Sequence, residues 1–168
     1  GLRPVLCSME QVAAWQAFCA ASGWRGGSAL HVDTGINRLG LDAEAAAALA
    51  ARGPAARAGI GLLLSHFACS ETAAHPLNAR QISRMQALRR SFPELAFSLA
   101  NSSGIFLGPD ALHDLVRPGV ALYGANPTPG HPNPMQPVVR LEGRIVQRRT
   151  VPAGERVGYG ATWTGRRP

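Results

Sequence analysis

Short uninterrupted apolar runs alternate along most of the chain with longer stretches in which apolar residues recur at helical spacing. The runs Pro4–Cys7, Ala29–Val32, Gly59–Leu64, Phe97–Ala100 and Val120–Tyr123 have the length of buried strands. Between the early runs lie helical patterns. The first opens at Ser8, a predicted N-cap with Gln11 three residues on, and continues through Val12, Trp15, Phe18 and Cys19. A second runs from about Ala43 to Arg52, capped by Asp42 and stopped by Gly53 and Pro54. A third begins near Pro76, with Ile82, Met85, Leu88 and Phe92 forming one apolar stripe. Strand and helix in repeated alternation predict parallel strands covered by helices, arranged as a (β/α) barrel or an open doubly wound sheet. Polar residues favour the barrel. Asp33-Thr34-Gly35, His66, Asn101-Ser102-Ser103 and Arg117 each fall at or beside the end of a different unit, and a barrel gathers such groups on one rim.

The pattern changes after Gly124. Residues 126–136 are rich in proline and cannot be helical. Beyond them Val138, Val139, Leu141, Ile145, Val146 and Val151 have β-like composition, and Gly154-Glu155 marks a turn. The predicted organisation is therefore residues 1–125 as part of a cofactor-binding (β/α)8 TIM-type barrel, 126–136 as a connector, and 137–168 as the start of a β-rich C-terminal domain. A complete barrel needs about 250 residues, so the chain is expected to be a piece of a larger protein.

Composition narrows the function. With 46% hydrophobic and 16% charged residues in 168, the chain suits a globular domain rather than a disordered one. No apolar run approaches the roughly 18 residues that cross a bilayer. Three separated cysteines without a CxxC pair suggest neither a disulfide framework nor a zinc knuckle, and a reducing cytoplasm is expected. The net charge of +7 comes from arginines scattered along the sequence with few aromatics, so neither nucleic acid nor membrane is expected as a partner. All 17 basic residues are arginine. This chain alone therefore has no lysine amine with which to form a Schiff base.

Common phosphate-loop, zinc-protease and nucleophile-elbow motifs are absent. A distributed pattern takes their place: His31–Gly40 (HVDTGINRLG), Ser65–Ala68 (SHFA), Leu99–Gly104 (LANSSG), Val116–Gly124 (VRPGVALYG) and Gly154–Trp163 (GERVGYGATW). In this order and at these separations the chain resembles alanine racemase, the pyridoxal 5′-phosphate enzyme that interconverts L- and D-alanine. The likeness runs from about Pro4 to Trp163.

The resemblance implies a cofactor in the mouth of a barrel, a homodimer with shared active sites, and D-alanine supplied for peptidoglycan. Racemisation needs a base on each face of the activated substrate, and Tyr159 matches the tyrosine that serves one face across the dimer interface. A free phenol ionises near pH 10, so it needs positive neighbours or hydrogen bonds to act as a base at neutral pH. Arg117 matches the arginine facing the pyridine nitrogen. A guanidinium is always a donor, so the ring nitrogen stays unprotonated and the electron sink is weaker. His66 matches the histidine that contacts this arginine. Ser102, with the backbone N–H groups around Gly119 and Val120, corresponds to the phosphate site. Arg38 matches the arginine near the cofactor's phenolic oxygen and the substrate carboxylate, and Asp33 reads as structural support for its turn.

Two departures stand out. His31 occupies the place where many members carry a lysine whose carbamate positions the nearby arginine, so Arg38 must be oriented otherwise. The family's Schiff-base lysine, also its second base, comes from an earlier segment, and this chain by itself is expected to be inactive. Two alternatives stay open: a catalytically dead paralogue serving as a phosphate-ligand-binding or assembly module, and a broad-specificity amino-acid racemase.

Overall fold

The computed structural model describes residues 2–54 and 59–167. Four short strands, β1 (Val5–Leu6), β2 (Ser28–His31), β3 (Ile60–Leu64) and β4 (Ala96–Ser98), form one parallel sheet in the order β1-β2-β3-β4. The spatial order follows the sequence without reversal. That is the progression of a barrel; a doubly wound sheet has a switch point where the order turns back.

The helices that make the crossovers begin at side chains suited to the task. In α1 (Met9–Ser22) the Ser8 hydroxyl accepts the Gln11 N–H at 3.3 Å, and in α2 (Ala43–Ala51) the Asp42 carboxylate accepts the Ala45 N–H at 2.8 Å. The third, α3 (Pro76–Ser91), starts with proline in its first turn, where the missing N–H costs nothing.

Register explains the core. Leu6 lies opposite Leu30, Leu30 opposite Leu63, and Leu63 opposite Phe97, forming an almost solvent-free apolar row across all four strands. This row packs with Val12, Leu49, Met85 and Phe92 from the helices. Because side chains alternate along a strand, the neighbouring row of His31, Leu64 and Ser98 lies on the opposite face. Of the predicted α1 stripe, Val12 is buried, whereas Phe18 is 50% exposed and stacks on Trp15 at 5.6 Å between ring centroids.

Two expectations are corrected. Val120–Tyr123 is a 3₁₀ turn rather than a strand. The backbone bonded alongside β4 and the residues after it lies earlier and is not a strand: Leu115 N–H donates to Phe97 O at 3.2 Å and Arg117 N–H to Ala100 O at 2.9 Å. Pro118 and Gly119 then turn the chain away, leaving the apolar run after them to coil. The β-like residues between Val138 and Val151 form no strand; Leu141 and Val146 are each 97% exposed. A strand needs a neighbour to receive its N–H and C=O groups, and Val138, Val139, Leu141, Ile145 and Val146 are all exposed. Regular pairing returns only in the antiparallel β5 (Arg156–Val157) and β6 (Trp163–Thr164). The connector is built from turns: Asn133 Nδ2 donates to Gly124 O at 2.9 Å, and Asn126 Nδ2 to His131 O at 3.0 Å.

Candidate active site

Beyond β2 the chain leaves the sheet at Asp33 and returns at Leu41. The excursion is closed at its base, where Asp33 N–H donates to Leu41 O and Leu41 N–H to His31 O, both at 2.8 Å. Its geometry requires Gly40, which has φ +111°; a Cβ there would lie 3.0 Å from both Asp33 N and His31 O. The Asp33 carboxylate accepts the N–H groups of Gly35 (2.7 Å), Ile36 (3.0 Å) and Arg38 (3.2 Å). Burial raises the Asp33 pKa, but these backbone donors outweigh it and hold the group below the usual carboxylate value. The sequence reading of Asp33 as a turn support therefore matches its contacts. Arg38, carried on this loop, has an exposed side chain.

Arg117 is the centre of the site. Its Nη1 donates to Ser98 Oγ, and its Nη2 donates to Ser65 O at 2.6 Å, with Leu99 O and His66 Nδ1 each at 3.5 Å. Burial lowers its pKa from the usual arginine value. The His66 pKa is lowered first by burial and then by the positive charges of Arg117 and Arg38, so its imidazole is held neutral beside the guanidinium. The His31 pKa is lowered as well: burial is the largest cause, Asp33 opposes it, and Arg117 and Arg38 add to the lowering. Its Nε2 is buried without a hydrogen-bond partner, while Nδ1 lies 3.8 Å from Cys7 Sγ.

Ser102 is buried after β4 and accepts the Ala121 N–H at 3.2 Å, tying its loop to the 3₁₀ turn that follows Gly119. Around Gly119 itself a Cβ would meet nothing within 4 Å. Tyr159 stands elsewhere, in the 3₁₀ turn Tyr159–Ala161 between β5 and β6; it is fully exposed, and its phenol makes no hydrogen bond among the described residues.

Four of the five sequence segments thus meet at the C-terminal ends of the strands, and the fifth does not join them. The profile of the alanine racemase N-terminal domain matches residues 1–127. The chain belongs to the alanine racemase family. An alanine racemase of Methylobacterium sp. (strain 4-46) is 50% identical over 99% of the chain, which spans 46% of that relative's length. The crystal structure of alanine racemase from Bartonella henselae with covalently bound pyridoxal phosphate superposes with a TM-score of 0.83 at 38% identity, covering 99% of this chain and 47% of that one. The biosynthetic alanine racemase of Pseudomonas aeruginosa gives 0.77 at 34% identity, covering 98% and 46%. The fold is accordingly the TIM-barrel-type N-terminal domain of alanine racemases, with its parallel sheet and outer helices.

Sequence reasoning assigns no role to Ser98, Ser65 or Gln81, although the first two hold Arg117. Gln81 carries a signal of its own: it stands four residues from both Leu77 and Met85, a polar side chain at a core position of α3.

Proposed function

We propose that the protein carrying this chain is an isomerase that racemises alanine with pyridoxal 5′-phosphate, as a cytoplasmic homodimer with shared sites that supplies D-alanine to peptidoglycan. The observation that carries this reading is the convergence of Arg117, His66 and the Ser102–Gly119 turn at the strand ends of a chain in this family.

The donor set fits the cofactor. Arg117 and Arg38 both act on His66 and His31, and the carboxylate that acts on His31, Asp33, has its oxygens engaged by backbone N–H groups, so the surplus of positive charge and donors suits a phosphate-bearing ligand. Ser102 and the N–H groups around Gly119 and Val120 would hold its phosphate, Arg117 would donate to its ring nitrogen, and Arg38 would pair with its phenolic oxygen and the substrate carboxylate. When bound, the cofactor supplies the electron sink that acidifies the substrate α-hydrogen.

The chain's residues set how that hydrogen moves. Arg117 has no proton to release at ordinary pH, and the carbonyl of Ser65 and hydroxyl of Ser98 fix its direction. Tyr159 takes and returns the proton at its phenol oxygen. Its exposure on a hairpin away from Arg117 supports delivery to the site of a second subunit. Residues 1–125 are read as the barrel part, 126–136 as the connector and 137–168 as the opening of the β-rich domain that brings Tyr159.

The test uses the full-length gene product. It is expected to bind pyridoxal phosphate and interconvert the alanine enantiomers, and Tyr159→Phe is expected to slow racemisation by about 10²–10⁴-fold with cofactor binding little changed. Near-normal racemisation by that variant would place the base elsewhere.

A further inference from the structure

Helix α3 projects a fully buried amide between two strand ends. Gln81 Nε2 donates to Thr34 Oγ1 at 3.1 Å and to the His66 carbonyl at 2.8 Å, while Oε1 accepts the Ala68 N–H at 3.0 Å. The orientation is unique: a flipped amide would set its oxygen against the His66 carbonyl and its NH₂ against the Ala68 N–H. From Thr34 the network continues to Ser65, the two hydroxyl oxygens 2.7 Å apart. One turn along α3, Arg84 donates to the Thr34 carbonyl at 2.8 Å.

The groups held this way, Thr34 on one side and His66 and Ala68 on the other, bracket Ser65. The Ser65 carbonyl is the acceptor that fixes the Arg117 guanidinium, and the His66 ring is the one that meets it. Gln81, Thr34 and Ser65 are buried, so an unmatched donor or acceptor among them is not compensated by water.

We infer that Gln81 is a positioning residue for the reaction proposed above: it sets the Ser65–His66 backbone against which Arg117 is aimed. The inference rests on that functional reading and adds to it a residue that touches neither cofactor nor substrate. It acts through Arg117, so its loss is felt at the ring nitrogen more than in substrate capture.

Gln81→Glu in the full-length gene product tests this. The variant keeps the shape and the acceptor for Ala68 but exchanges two N–H donors for at most one carboxyl O–H, so Thr34 and the His66 carbonyl are no longer both served. The expected result is a kcat about tenfold or more lower with KM for alanine changed less than about twofold, together with a shifted absorption band of bound pyridoxal phosphate. Because the effect travels through Arg117, the double variant Gln81→Glu/Arg117→Lys is expected to be no slower than Arg117→Lys alone, within about twofold. If Gln81→Glu does not accumulate as folded protein, Thr34→Val removes the hydroxyl relay and is held to the same three readouts.

A merely structural role would lower Tm and cofactor occupancy while leaving kcat per bound cofactor and the band unchanged, with additive losses in the double variant. That outcome overturns the inference and leaves the racemase reading standing. A wild-type protein that neither binds pyridoxal phosphate nor racemises alanine overturns both.

Discussion

Arg117 gives up much of its hydration without gaining an acid. Its partners are a hydroxyl, two carbonyls and a neutral imidazole, so its charge stays uncompensated and available to a ligand. That His66 stands against Arg117 was legible from their motifs. How they are held was not, because Ser98 and Gln81 are distant in sequence and only the packing of β4 and α3 brings them in. The same burial sets a pH dependence. His31, His66 and His113 all have pKa values lowered mainly by burial. Near pH 6.5 and below, the unfolded chain then binds more protons than the folded one, so stability is retained above that value and lost as pH falls. His113 offers a clean probe: its Nε2 is buried without a hydrogen-bond partner and its φ is +53°, a conformation asparagine tolerates. In His113→Asn, Tm measured from pH 7.5 to 5 is expected to fall less steeply than in the parent, whatever the offset at neutral pH. An unchanged slope would assign the acid sensitivity to other groups.

Among elements, helices were the most legible because their signals are local. Ser8, Asp42 and Pro76 mark starts that the backbone adopts. Asp42→Ala is expected to cost about 0.5–2 kcal/mol in denaturant unfolding and Asp42→Asn far less, since the amide oxygen still accepts the Ala45 N–H. Equal losses from the two variants would trace the effect to charge instead of the cap. Strands were less legible where the partner decides. Val120–Tyr123 and Val138–Val146 have the composition of strands, yet the backbone bonds beside β4 are made by Leu115 and Arg117, and the later residues are exposed. Apolar, β-branched composition states a capacity for pairing; topology determines whether it is used.

At the scale of the whole molecule, surface area measures what is left uncovered. The chain exposes 11387 Å², against roughly 8,000 Å² for a compact monomer of its mass. The excess on this one chain is larger than the roughly 1,000–2,500 Å² that each partner gives to an obligate interface. Expressed by itself, the 168-residue chain is therefore expected to self-associate in light scattering combined with intact-mass analysis. A cooperatively unfolding species of monomer mass with no co-purifying peptide would contradict the barrel-segment reading. Within this open framework α3 is anchored at both ends. Gln81 in its first half, with Arg84 one turn on, fastens it to Thr34, His66 and Ala68, and Arg89 near its end pairs with Asp114, whose carboxylate also accepts the Phe97 N–H at 2.7 Å. Asp114 precedes Arg117 by three residues. One outer helix thus touches both the loops that follow β2 and β3 and the segment that leads into Arg117, so local opening of α3 is expected to loosen the two together.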